Sequence, residues 1–108
     1  MIMVNTPDEQ RWAALPTAKQ MANIGSEVGR SRKWLLKGNN EIAEGAFLRA
    51  LDLIDLTIKY GRANTAGRSA LLKEICRARD CYTEAFLSAE QDTLEYLDKY
   101  FGQFALIA

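Results

Sequence analysis

EIAEGAFLRALDLIDLTIKYG, residues 41–61, places Ile42, Ala43, Ala46, Phe47, Ala50, Leu51, Ile54, Leu56 and Ile58 at the spacing of an α-helix, with Leu53 widening the stripe. The spacing predicts a helix over Glu41 to Tyr60, closed by Gly61. An apolar face this broad has to meet more than one neighbour, so the helix belongs at the centre of an assembly of helices.

The flanking segments read the same way. Upstream, Thr17 to Lys37 carries Met21, Ile24, Val28, Ser31 and Leu35 on one stripe, with Trp34 beside its end. Gly25 and Gly29 stand four residues apart within it. Each costs a helix about 1 kcal/mol relative to alanine, which is tolerable where another helix backbone passes close by. Gly38-Asn39-Asn40 supplies the stop, the turn and the next cap. Further upstream, Thr6-Pro7-Asp8-Glu9 has the form of a capping box opening a helical turn with Trp12 and Leu15, which must kink or break at Pro16.

Downstream, Gly61 to Gly67 reads as a loop, followed by a helix from Arg68 to Leu87 with Leu71, Leu72, Ile75, Ala78, Tyr82 and Phe86 inward. A fourth helix opens at Ser88, with Gln91 at the capping-box position and Leu94, Leu97, Phe101, Phe104 and Ala108 on its stripe. No segment alternates like a strand and there is no internal repeat. The expected fold is an all-α, antiparallel four-helix bundle with a short N-terminal helical turn before Pro16, one domain over residues 1–108. Met21, Ile24, Val28, Phe47, Leu51, Ile54, Leu72, Ile75, Leu97 and Phe101 are its predicted core.

Composition agrees: 108 residues, 48% hydrophobic and 26% charged, describe an ordinary globular chain. The apolar runs are too short to span a bilayer, and Met1-Ile2-Met3-Val4 lacks the basic start and long apolar stretch of a secretory signal. A cytoplasmic location is expected, with Cys76 and Cys81 as reduced thiols that point in different directions on one helix and pack against their surroundings. The formal net charge is zero, from 14 basic and 14 acidic residues, but the signs are segregated. Basic residues predominate up to Arg79, whereas Asp80, Glu84, Glu90, Asp92, Glu95 and Asp98 then face only Lys99.

The chain has no histidine, which removes histidine-based nucleophilic triads, HExxH zinc sites and imidazole general bases. The two cysteines do not make a zinc site and lack the imidazole that usually activates a thiol. Gly25-Ser26-Glu27-Val28-Gly29 follows no strand and is not a phosphate loop. No cofactor, bound transition metal or catalytic thiol is expected. Carboxylates do recur, as Glu41-x-x-Glu44 and Asp52-x-x-Asp55, each within one helix. A divalent-metal nucleotide hydrolase would need Glu44, Asp52 and Glu74, with Glu27, to converge from facing helices.

Opposite charges three residues apart recur in Glu27-x-x-Arg30, Arg49-x-x-Asp52-x-x-Asp55 and Glu74-x-x-Arg77. Such pairs either decorate a solvated helix surface or build an interhelical polar network or pocket from Glu27, Arg30, Glu44, Arg49, Asp52, Glu74 and Arg77. For nucleic acid the candidate patch is Arg30, Arg32, Lys33 and Lys37 with Trp34, joined by Arg62 and Arg68. Zero net charge and the place of Trp34 on the apolar stripe argue against it.

Ile24-Gly25-Ser26-Glu27-Val28-Gly29-Arg30 with Trp34, Phe47 to Leu53, Glu74-Ile75-Cys76-Arg77-Ala78 and the closing Tyr100-Phe101 and Phe104-Ala105 together resemble a small family of uncharacterised prokaryotic all-helical proteins. More loosely, size and helix plan are similar to the HEPN-class helical partners of minimal nucleotidyltransferases. Ribonucleases of that class carry an arginine followed closely by a histidine. Here the residue five positions after Arg77 is Tyr82 and the chain has no histidine, so that activity does not carry over and what the resemblance implies is a non-catalytic partner role. The apolar stretch Phe104 to Ala108 either packs into the core or forms a subunit interface through Phe104, Leu106 and Ile107. The expected function is therefore non-catalytic, acting as a homodimer that also engages a protein partner.

Overall fold

Pro16 separates the first two helices. Its φ of −56° and ψ of 146° hold an extended conformation between α1, Glu9–Ala14, and α2, Thr17–Leu36, and its carbonyl accepts the Gln20 amide at 3.1 Å. The computed structural model describes residues 9–63 and 69–108. The expected Thr6 cap, Arg68 and the side chain of Arg62 lie outside the described residues.

Six residues are too few for a helix to persist alone, and α1 is held by its contacts with α3, Asn40–Ala63. Trp12 is buried and donates from its indole nitrogen to Thr57 Oγ1 at 3.1 Å, while the Gln20 amide group donates to the Trp12 carbonyl at 2.7 Å. At the exposed end, Glu9 accepts from Lys59 at 3.1 Å and from the Tyr60 hydroxyl at 2.7 Å.

The α2–α3 turn uses glycine's freedom directly. Gly38 has φ of +80°, its amide donates to the Leu35 carbonyl at 3.1 Å, and the Asn39 amide donates to the Trp34 carbonyl at 2.9 Å. Asn39 then caps α3, its Oδ1 accepting the Ile42 amide at 3.2 Å, so the helix begins at Asn40 rather than Glu41.

The turn after α4, Ser69–Leu87, repeats this pattern with Ala89 in the left-handed position at φ 53°. The Ala89 and Glu90 amides donate to the carbonyls of Phe86 and Ala85. Ser88, expected to cap the following helix, instead donates to the Glu84 carbonyl at 2.7 Å and finishes α4. The next helix, α5, is Gln91–Gly102; it is entered through the extended Glu90, whose carboxylate accepts the Thr93 hydroxyl. A 3-10 turn, Gln103–Leu106, follows it.

The five helices form an all-α bundle, and no strand occurs among the described residues. In it α2 packs on α3 and α5, α4 packs on the same two helices, and the 3-10 turn packs on α2 and α5. The predicted core residues are buried apart from Leu51 and Leu72, which are half-buried. At its centre Phe47 stacks on Phe86, ring centroids 4.2 Å apart, and meets Tyr82 at 5.2 Å. The close helix approach expected at Gly25 is present. A Cβ there would lie 3.1 Å from the Phe101 Cβ and 3.2 Å from the Phe101 carbonyl carbon on α5. No described helix is long and apolar enough to cross a membrane.

Candidate functional site

The acid–arginine pairs do not share one fate. Glu27 is buried on α2, where its side chain keeps 9% of its exposure, and it accepts from Arg30 on the same helix and from Arg49 Nε of α3 at 2.7 Å. One carboxylate is thus shared between a guanidinium one turn away and another on the neighbouring helix. One turn further along α2, Ser31 is fully buried and gives its single proton to the Val28 carbonyl at 2.7 Å. The Tyr82 hydroxyl, 2.6 Å away on α4, is therefore the donor to Ser31 Oγ. Burial, reinforced by the nearby Glu27 charge, pushes the Tyr82 phenol far above its ordinary range and keeps it protonated. The cluster Glu27, Ser31, Arg49 and Tyr82 therefore links α2, α3 and α4 through polar groups, with Arg30 at its solvent edge.

The remaining candidates lie elsewhere. Glu44 is exposed on α3. Asp52 is half-buried, with an Oδ2 atom shielded from solvent and without a hydrogen-bond partner among the described residues; burial first, and the charge of Asp55 second, raise its carboxyl above the usual range. Asp55 takes both bonds from Arg79 of α4, at 2.6 and 3.3 Å. Glu74 on α4 accepts the Tyr100 hydroxyl from α5, and Arg77 is exposed. Among the described residues no group of three or more histidine, cysteine, aspartate or glutamate side chains is placed to hold a metal ion. The carboxylate set Glu44, Asp52 and Glu74, on which a metal-dependent hydrolase depended, does not form one.

The basic patch is likewise divided. Arg32 bonds Asp98 of α5 at 3.2 Å, so the basic and acidic parts of the chain meet within one molecule. Lys33 and Lys37 lie 5.6 and 5.0 Å from the ring centre of the half-buried Trp34 and cover it.

A groove of about 250 Å³ runs between α4 and α5, lined by Glu74, Arg77, Ala78, Cys81, Tyr96, Leu97 and Tyr100. Cys81, expected to be packed away, is exposed there, and Cys76 is half-buried; both are free thiols. Beyond the groove, Phe104 is half-buried against the core and meets the Tyr100 ring at 5.9 Å. Leu106 and Ile107 are 88% and 74% exposed.

No family model, curated protein or solved structure matches the chain. Its functional surfaces are therefore defined by their own chemistry. Reading by charge spacing missed Ser31, Tyr82 and Arg79. Ser31 and Tyr82 both sit on apolar stripes, and a hydroxyl on a buried stripe is itself the signal that it needs a buried partner.

Proposed function

We propose that the chain acts without catalysis, as a homodimer that docks on a protein partner. The observation that carries this reading is the exposure of Leu106 and Ile107 just beyond Phe104, which is half-buried against the core. Covering a large aliphatic side chain stabilises an assembly by about 1.5–3 kcal/mol, and a second copy is the cover always at hand. Neither the α3 face nor the segregated charge adds to the argument, because α1, α2 and α4 pack on α3 and Asp98 is joined to Arg32 within the chain. The helices are read as antiparallel, since α2–α3 and α4–α5 are each joined by three residues, a length suited to chain reversal. The partner role implied by the sequence resemblance needs no histidine and is compatible with the absence of one.

Sedimentation equilibrium over a concentration series tests the dimer. The expected mass is twice the 12.1 kDa of one chain, falling to one chain in a Leu106→Ser, Ile107→Ser variant of unchanged helicity. A single-chain mass at every concentration overturns the reading.

A further inference from the structure

We infer that Leu106 and Ile107 of one copy occupy the α4–α5 groove of the other, and that the exchange is reciprocal. The inference rests on the dimer proposed above and assigns its two faces. Both side chains are largely exposed, so they do not fill the groove of their own chain. An apolar cavity of about 150 Å³ takes one benzene-sized group, so a groove of about 250 Å³ suits two aliphatic side chains. The segment following Phe104 offers two. The same volume lies below the range of about 300–1,000 Å³ typical of small-molecule sites, which favours a side-chain occupant over a cofactor.

Charge supports the same occupant. Phe104-Ala105-Leu106-Ile107 has no polar side chain, so none is stranded on entering a groove whose charged groups, Glu74 and Arg77, are on exposed residues. Phe104, which opens the segment, continues the track of side chains that lines the α5 wall of the groove. Tyr96, Tyr100 and Phe104 recur every fourth residue along α5 and into the 3-10 turn, Tyr96 being 66% exposed. Two copies laid in opposite directions along that track bring each 3-10 turn over the other's groove. Reciprocal insertion closes the assembly at two copies, whereas one-way insertion leaves a groove and a tail open and continues to add copies.

Cys81, at the groove, reports directly on this geometry. One chain carries Cys76→Ser and keeps Cys81; a second carries Cys76→Ser, Cys81→Ser and Ile107→Cys, with Leu106→Cys as an alternative tail position. The two are mixed, equilibrated and mildly oxidised, after circular dichroism has checked that each is helical. A disulfide between Cys81 of one chain and the tail cysteine of the other, located by peptide mass spectrometry and absent from either chain alone, is the expected result. A dimer by sedimentation that gives no such link at either tail position overturns the groove assignment while leaving the dimer intact. A single-chain mass for the native protein overturns both. Assemblies larger than two copies overturn reciprocal exchange.

Discussion

The Tyr82 hydroxyl donates to Ser31 Oγ across 2.6 Å between α4 and α2, and the two residues depend on that bond unequally. Ser31 still has the Val28 carbonyl at 2.7 Å to receive its proton. For the Tyr82 hydroxyl, buried in the core, Ser31 is the acceptor.

Ser31→Ala is therefore the more damaging of the two deletions. It leaves a buried donor without its acceptor and costs about 1–3 kcal/mol, whereas Tyr82→Phe removes the donor itself and costs about 0.5–1.5 kcal/mol. Urea unfolding of both variants checks the order, and an equal or reversed cost would remove Tyr82 as the donor.

A similar asymmetry holds around Glu27. Its carboxylate is buried, so Arg49→Ala leaves a shielded charge with one partner fewer and costs about 1–3 kcal/mol. Arg30 is on the solvent side, where an ion pair contributes about 0–1 kcal/mol, and Arg30→Ala is expected to fall in that range. Thermal melts at low and high salt separate them, since the exposed contribution is screened and the buried one much less so.

The two glycines of α2 are predicted to respond differently to alanine. At Gly25 the new methyl meets the Phe101 Cβ and backbone, which cannot yield without shifting α5, at a cost of about 1–3 kcal/mol. At Gly29 it meets the Asp98 carboxylate at 3.1 Å, a side chain able to turn aside. There the gain in helix propensity of about 1 kcal/mol offsets the crowding, so Gly29→Ala is close to neutral. Equal destabilisation of both variants in chemical denaturation contradicts this account.

Asp52 provides the pH-dependent case. Its carboxyl is raised in the folded chain, by burial and then by Asp55, so the charged form is disfavoured there relative to the unfolded chain. At neutral pH the folded protein carries that penalty. As pH falls, the folded form takes up its proton first and the penalty disappears. Asp52→Asn is accordingly expected to raise the melting temperature at neutral pH, with the gain fading as pH drops through the carboxylate range. A gain independent of pH would assign the effect to packing instead.

The helical segments and the pairing of Gly25 with a passing backbone were readable because each depends on local spacing and on what glycine permits, although α3 runs past the expected stop at Gly61 to Ala63 and α5 gives way to a 3-10 turn after Gly102. The α4–α5 turn was not. Ser88-Ala89-Glu90-Gln91 carries a plausible capping box, yet closing α4 with Ala89 in the left-handed region takes Ser88 for the Glu84 carbonyl and moves the entry of α5 to Glu90. Two valid local solutions competed there, and packing of the helices chose between them.

Sequence alone determined that the chain is helical, which faces are apolar, and that histidine chemistry is excluded, since periodicity and composition are properties of residues near one another or simply counted. Only the tertiary structure decided that Glu27 is shared between Arg30 and Arg49, that Arg79 rather than Arg77 crosses between helices, that the Glu44, Asp52 and Glu74 carboxylates form no metal-holding group, and that Phe104 is half-buried while Leu106 and Ile107 are exposed. Those outcomes depend on the rotation of each helix about its axis and on the reach of long side chains to neighbouring helices. Neither quantity is encoded in spacing along one helix; both are set when all the apolar faces are buried together.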